Sequence, residues 1–400
     1  MSQGSIRRIV LFTCLLVPGC IRHHWDLPPR MTTSKIASGS SNAISEELSQ
    51  EEVSRLLMSN LYRTLDRHFS DLQRQYVNGV ISDEMLRDRF RVFYPVDPAL
   101  VPHYDAWVQM FPQSYVAHLA RAIYYKKRGQ ESRGEDYISQ VTETQLVGMN
   151  EAFAKALKDL HTCVALDPKP TLAYGHALDI SSYTSAGDER ELQDLAAQVD
   201  PANIIVRMKY MNALEPRWGG SSKKMQAFLE ESRRANLPAS KLRSLEAIIF
   251  EDEGHVNYDR ERWDAAAEGY LKAFELDPNN LDALRLAAQA RFAAQDWQQV
   301  VKLYTQYLDR LPGNVIALRS RGWAYDRMDD PRAVQDLTAA ANLGDAFSQN
   351  RLGEFNFYGI PGVVPQNRES ALEWFRMAAE QKYPDAVANL QKVLASPVLQ

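Results

Sequence analysis

The stretch Ala266-Ala-Glu-Gly-Tyr270-Leu-Lys-Ala273-Phe-Glu-Leu-Asp-Pro278 has a spacing that occurs three times in the chain. A small residue, a large residue, a second small residue and a proline stand at offsets 0, 4, 7 and 12. The two related sets are Ala156, Leu160, Cys163 and Pro168, and Val300, Tyr304, Tyr307 and Pro312. Small residues let neighbouring helices approach, large residues fill the gap between them, and proline stops a helix. The spacing therefore predicts helices packed in pairs.

These offsets resemble those of the second helix in a tetratricopeptide repeat, with Tyr307 standing where a small residue is usual. Pro278 and Pro312 are 34 residues apart, which is the period of that repeat. The resemblance implies an all-α fold, a right-handed superhelical solenoid of antiparallel helix pairs. We expect tetratricopeptide-like repeats over residues 241–344.

The last part of the chain has a second repeat pattern. It consists of Asp345-Ala346, Arg351-Leu352-Gly353, Tyr358-Gly359-Ile360-Pro361-Gly362-Val363, Asn367, Ala371, Trp374, Phe375, Ala378, Ala379 and Asp385-Ala386. This order resembles a Sel1-like repeat, which we expect at residues 345–395. Ile360-Pro361 widens the glycine loop of that pattern, and Lys382-Tyr383 replaces its later glycine.

Residues 46–240 have a less regular helical pattern, tetratricopeptide-like only in part. Apolar residues from Val53 to Tyr76 recur every three or four positions and predict one long amphipathic helix. The segment Pro216-Arg217-Trp218-Gly219-Gly220-Ser221, followed by Met225 and Phe228, is similar to a bacterial domain of unknown function that often adjoins these repeats. That family has no established chemistry.

The start of the chain has the features of an export signal. Arg7 and Arg8 precede the apolar run 9–17, and Pro18-Gly19-Cys20 follows it. The ending resembles the lipobox of bacterial lipoproteins, although Pro18 is unusual there. The resemblance implies a signal peptide at residues 1–19, an acyl chain such as palmitate on Cys20, and a cell-envelope protein anchored in the outer membrane. A plain secretory signal, giving a secreted or periplasmic protein, and a mistaken start codon remain open alternatives.

Residues 20–45 are polar, contain Ser, Thr and Pro, and have no apolar periodicity, so we expect a flexible tether. The formal net charge of -5 argues against nucleic-acid binding. The chain has no Gly-Lys-Ser/Thr phosphate loop, His-Glu-x-x-His pair, Cys-x-x-Cys pair or Gly-x-Ser-x-Gly elbow. We interpret Ser221-Ser222-Lys223-Lys224 as a helix cap rather than an acyl-enzyme pair, and we expect no catalytic, cofactor or metal site.

The favoured function is a non-enzymatic scaffold or adaptor that binds a partner protein or peptide in a concave groove of the solenoid. The candidate groove residues are Arg285, Gln289, Arg319, Tyr325 and Asp326. We interpret Trp263, Trp297 and Trp374 as core residues. One alternative is a peptidoglycan-acting enzyme of the cell envelope with a catalytic domain at 46–240, and another is a structural assembly factor.

Overall fold

In the computed structural model, residues 47–134, 140–184 and 186–395 are described. These residues form 19 α-helices and no strand. The helices are α1 (Gln50–Met58), α2 (Tyr62–Val77), α3 (Asp83–Phe90), α4 (Val101–Met110), α5 (Tyr115–Arg133), α6 (Glu143–Leu166), α7 (Thr171–Thr184), α8 (Glu189–Val199), α9 (Ile205–Ala213), α10 (Ser222–Arg234), α11 (Ala239–Tyr258), α12 (Trp263–Leu276), α13 (Leu281–Ala293), α14 (Trp297–Leu308), α15 (Val315–Arg327), α16 (Arg332–Asn342), α17 (Ala346–Tyr358), α18 (Arg368–Glu380) and α19 (Pro384–Ala395). The predicted all-α fold is confirmed.

The chain divides into two compact units. The first contains the described residues up to Ser221 together with Arg234–Pro238, and the second contains Ser222–Arg233 and the residues from Ala239 onward. No helix among the described residues is long and apolar enough to cross a membrane.

The first unit begins with two helices where the apolar pattern predicts one. Asn60 adopts a left-handed φ of 58° between α1 and α2, so the prediction of a continuous helix was wrong. The Tyr62 hydroxyl donates to the Asn60 side chain at 2.6 Å and holds the turn. The apolar face is nevertheless used, because Val53, Leu57, Leu65, Phe69, Leu72 and Tyr76 are all buried.

Helices α5 and α6 pack against each other along their length in the first unit. Gly129 lies within α5, and a β-carbon there would come within 2.5 Å of the Phe153 ring on α6. The absence of a side chain at Gly129 therefore allows this close packing. On α6, the predicted inward residues Ala156, Leu160 and Cys163 are fully buried, as the repeat spacing requires.

In the second unit each helix from α11 to α19 packs on the next one along the chain. Short connections between packed neighbours make them antiparallel. Ala266, Tyr270 and Ala273 are buried on α12, which ends at Leu276 just before Pro278. Val300, Tyr304 and Tyr307 are likewise buried on α14. The predicted repeat register of this region is confirmed.

The three tryptophans that we interpret as core residues are each half-buried. Trp263 contacts Tyr258 edge-on, with 4.9 Å between ring centroids, and Trp297 contacts Phe292 at 5.3 Å. Trp374 packs against the apolar cluster formed by α16 and α17. These residues therefore join the two helices of a pair at the margin of the core.

Candidate functional site

The first helices of successive pairs in the second unit, α13, α15 and α17, begin in the same way. A side-chain oxygen of Asn280, Asn314 or Asp345 accepts a hydrogen bond from the backbone N–H three residues later, at 3.1, 2.9 and 2.8 Å respectively. Such caps satisfy N–H groups that the helix leaves unpaired and fix where it starts. Residues at equal distances from the caps therefore occupy equivalent positions on the three helices.

Half-buried and exposed side chains at equivalent positions form one surface on α13 and α15. Arg285 and Gln289 lie one turn apart on α13, and Ile316, Arg319 and Trp323 follow the same helical spacing on α15. Arg319 and Trp323 stand 34 residues after Arg285 and Gln289. We call these five residues the first-helix face.

A tyrosine of the intervening helix connects the two rows of the first-helix face. The Tyr304 side chain on α14 lies close to the guanidinium groups of Arg285 and Arg319 and hydrogen-bonds with Ser320. Burial raises the pKa of Tyr304, and the two arginines and Ser320 oppose that rise only in part. The structure thus brings the predicted residues Arg285 and Arg319 to the same tyrosine.

Ion pairs fix the first-helix face to the following helix. Arg319 donates to Asp345 at 3.1 Å, and Arg351 donates two hydrogen bonds to Asp326, at 2.9 and 3.0 Å. Burial disfavours the charge on Arg351, but its bonds to Asp326 and Glu354 outweigh that effect and raise its pKa. The predicted residue Asp326 is therefore engaged in joining α15 to α17.

Tyr325, another predicted groove residue, is only 6% exposed. The Arg332 guanidinium lies over its ring, 4.4 Å from the centroid, and the ring packs in the cluster that contains Ala333 and Leu337 of α16. Of the five predicted residues, Arg285, Gln289 and Arg319 belong to the first-helix face, whereas Tyr325 faces α16. The arginine contact and the burial of the ring keep Tyr325 away from this surface.

The sequence reasoning missed Ile316 and Trp323. Ile316 is 48% exposed, and the Trp323 ring contacts Phe347 of α17 edge-on at 5.0 Å. The 34-residue period contained the signal, because Ile316 corresponds to Asp282 and Trp323 to Gln289. Aromatic and aliphatic side chains on such a face can anchor a partner, as tryptophan and arginine often do at interfaces.

Two carboxylates of the less regular part, Asp167 and Asp200, take part in holding turns between helices. Asp167 accepts hydrogen bonds from Gln73 and from the Lys169 backbone at 3.0 and 2.8 Å. Asp200 accepts a bond from the Tyr76 hydroxyl at 2.6 Å. Burial raises the pKa of Asp167 despite its two bonds. These contacts place both groups in structural roles at the ends of α6 and α8.

Other residues singled out by their chemistry have ordinary surroundings. Cys163 is fully buried, and burial raises the pKa of its thiol, which makes it a poor nucleophile. Ser222 is the first residue of α10, in agreement with the interpretation of this segment as a helix start. Within the described ranges, no three His, Cys, Asp or Glu side chains are grouped to hold a metal ion. Cys20 lies outside the described residues.

Comparison with known families gives two matches. Residues 346–383 match the Sel1 repeat family, and residues 50–187 match a domain of unknown function, DUF4034. The Sel1 match covers α17 and α18 and supports the predicted repeat. A domain of unknown function is also present, but its match ends before Pro216, so the resemblance drawn from the segment 216–228 stays a prediction. No curated protein matches the chain.

Among solved structures, the chain is similar to c5321, a protective antigen present in uropathogenic Escherichia coli strains that displays an SLR fold. The identity is 15%, the TM-score is 0.39, and the alignment covers 88% of this chain and 69% of that one. Yeast Tom70 is similar at 11% identity and a TM-score of 0.34, over 86% of this chain and 77% of Tom70. The chain is a helical-repeat protein, similar to the Sel1 repeat family over residues 346–383.

Proposed function

We propose that this chain is a non-enzymatic scaffold that binds a partner protein along the first-helix face. The observation that carries the proposal is the equivalence of Arg285 and Arg319. They stand at the same position of successive first helices, lie beside the same Tyr304, and keep 29% and 38% of their side chains exposed. Stacked helix pairs present such equivalent residues as an extended binding surface.

The chemistry of the first-helix face suits a protein chain as its ligand. Arg285 and Arg319 can each form charge-assisted hydrogen bonds with a carboxylate or a backbone carbonyl of the partner. Ile316 and Trp323 add apolar area close to these polar groups. Interfaces commonly combine arginine and aromatic anchors in this way, with polar residues around them.

The ion pairs next to the face make it suitable for binding. The pairs of Arg319 with Asp345 and of Arg351 with Asp326 join consecutive first helices. A surface that is already ordered loses less conformational entropy when a partner binds. The proposed scaffold therefore binds with its own residues already in position.

We also propose that the protein works in the bacterial cell envelope, held by a lipid on Cys20. The support comes from the sequence, where Arg7, Arg8 and the apolar run 9–17 precede Cys20. A polar segment then separates Cys20 from the first described helix and would leave the scaffold free to meet a partner near the membrane.

The proposal can be tested by introducing a photo-crosslinking amino acid at single positions in living cells. Positions 289 and 316 lie on the first-helix face, whereas Glu268 and Lys302 are exposed positions on the second helices α12 and α14. We expect one defined crosslinked protein from positions 289 and 316, and a much weaker product from 268 and 302.

The crosslinked protein should be identified by mass spectrometry and should be the same from both face positions. Equal crosslinking from all four positions, or different proteins from 289 and 316, would contradict a binding surface here. Comparing positions on one folded protein removes differences in expression and stability from the readout.

A further inference from the structure

A cluster of charged residues in the first unit lies apart from the first-helix face. Helices α5, α7 and α9 bring Lys126, Asp179 and Lys209 together. The Lys126 ammonium donates to Asp179 Oδ2 at 2.7 Å, and the Lys209 ammonium donates to Asp179 Oδ1 at 2.5 Å. We call these three residues, with Lys127 and His176, the Asp179 cluster.

The charges of the Asp179 cluster do not balance. Two ammonium groups share one carboxylate, and Lys127 adds a third cation, 4.5 Å from the centre of the Tyr94 ring. Lys126 is only 3% exposed, while the Lys209 side chain keeps 26% of its surface accessible. Buried charges are normally matched, because an unmatched charge away from water is costly. The cluster therefore has an excess of two positive charges close to the surface.

The protonation states of the cluster follow from burial and mutual charge. Burial opposes ionisation of Asp179, but Lys126 and Lys209 outweigh it and lower the pKa of this carboxyl group. Burial lowers the pKa of Lys209, and Asp179 opposes that change. Burial and the neighbouring Lys126 also lower the pKa of Lys127. An additional negative group would relieve the strain on all three ammonium groups.

Two arginines extend the positive region at its edge. Arg87 acts electrostatically on Lys209, and Arg91 acts on Lys127. Both arginines share one carboxylate, Asp88, with distances of 2.9 Å from Arg87 and 3.4 Å from Arg91. This concentration of cations contrasts with the net charge of -5 for the whole chain. A positive region on an acidic protein attracts anions selectively.

A buried histidine provides a second observation that points to a ligand. His176 is 5% exposed, and its Nδ1 has no hydrogen-bond partner among the described residues. This atom lies 3.9 Å from Asp179 Oδ2, on the same side as the Lys126 ammonium. Burial, Lys126 and Lys209 hold the pKa of His176 well below its ordinary value, so the ring is neutral and can donate one N–H. Buried polar atoms are rarely left unpaired in folded proteins.

We propose that the Asp179 cluster binds a phosphoryl group, with Lys127 and Lys209 as its main contacts. A phosphate monoester carries about -1.5 to -2 charges at neutral pH, which matches the excess of the cluster better than a single carboxylate does. Ammonium groups bind phosphate as point charges and need no planar geometry. This site lies in the part of the chain that matches a domain of unknown function, and it is independent of the proposed first-helix face.

Isothermal titration calorimetry with inorganic phosphate, at constant ionic strength against chloride, tests this proposal on the full chain. We expect saturable binding by the wild type and about tenfold weaker binding by Lys127→Ala, since one charge-assisted contact is lost. Lys155→Ala is the matched control, because Lys155 also lies over a tyrosine ring, at 5.2 Å from Tyr125, but outside the cluster. Lys127→Arg should keep most of the binding.

Lys127 is half-buried and not part of the Asp179 ion pairs, so its removal should leave the helical circular dichroism unchanged. Absence of phosphate binding to the wild type would overturn the proposal, as would equal binding by Lys127→Ala and Lys155→Ala. Sedimentation with phosphatidylcholine vesicles that contain phosphatidic acid identifies the source of the group. Binding to these vesicles assigns a lipid headgroup, whereas binding of phosphate alone assigns a soluble phosphate ester.

Discussion

The ring of Phe375 on α18 covers the α-carbon of Gly353 on α17. A β-carbon at Gly353 would approach the Phe375 Cε1 to 2.5 Å. The same arrangement recurs in α11 and α12, where a β-carbon at Gly254 would approach the Tyr270 ring to 2.6 Å. Contact between a bare backbone and an aromatic ring is therefore a feature that sets the distance between paired helices in this protein.

Gly353→Ala should destabilise the second unit by about 1–3 kcal/mol, because the ring or a helix must move to admit the methyl group. Gly313→Ala is the control, since a β-carbon there meets no atom within 4 Å. That change should be neutral or slightly stabilising, by up to about 1 kcal/mol. Thermal unfolding followed by circular dichroism measures both. Equal melting temperatures for the two variants would contradict the packing.

Asp326→Asn should cost about 1–2 kcal/mol, because it weakens two charge-assisted hydrogen bonds from Arg351 between α15 and α17. Asp282→Asn is a control in an ion pair within one helix, where Asp282 is 74% exposed and pairs with Arg285. It should change stability by less than about 0.5 kcal/mol. Urea denaturation of both variants provides the comparison, and a smaller loss for Asp326→Asn than for Asp282→Asn would show that the connection between helices is unimportant.

The buried carboxylate Asp159 should make stability depend on pH in the acid range. Burial raises its pKa, but bonds from Arg121 and His118 outweigh this effect and hold the pKa below its ordinary value. The folded state therefore binds fewer protons than the unfolded state at this site. Its stabilising contribution is complete above the ordinary pKa of about 4 and is lost as the pH falls through the lowered pKa.

Asp159→Asn should lose about 3 kcal/mol at neutral pH and show a weaker dependence on pH below about 4. Asp194→Asn serves as control, because Asp194 forms a surface pair with Arg190 at 2.9 Å and is 45% exposed. Urea denaturation at several pH values measures the effect. An acid dependence of Asp159→Asn as steep as that of the wild type would rule out this role.

Cys20→Ser should release the protein from membranes and abolish labelling by a palmitate analogue, if the lipobox-like sequence directs acylation at this residue. Cys14→Ala is the control, because it changes the other cysteine of this region and keeps the apolar run. Membrane fractionation and metabolic labelling measure the outcome. Unchanged membrane association of Cys20→Ser would disprove lipid anchoring at Cys20.

The repeat positions could be predicted from sequence because they depend on local spacing. Ala266, Tyr270 and Ala273 lie on one side of a single helix, and side-chain size alone specifies which of them faces its partner. The break at Asn60 could not be predicted in this way. The apolar spacing continues through Leu61, yet Leu61 is 48% exposed and the turn is held by Tyr62.

The surfaces depend on contacts between helices, which a single sequence does not show. Arg285 and Arg319 were predicted from their repeat positions, and the structure adds that both lie beside Tyr304. Tyr325 has a similar helical position, but the following helix covers it with Arg332. The Asp179 cluster draws residues from three helices separated along the chain, so no local pattern indicates it.

The most direct test of the scaffold is the affinity of the crosslinked partner for purified variants. Arg285→Gln with Arg319→Gln neutralises the first-helix face, whereas Lys302→Gln with Arg376→Gln removes the same charge from exposed positions of the second helices α14 and α18. Isothermal titration calorimetry should show binding weakened about tenfold or more by the first pair of changes and little altered by the second. Equal affinities of the two double variants would contradict the proposal that the partner binds the first-helix face.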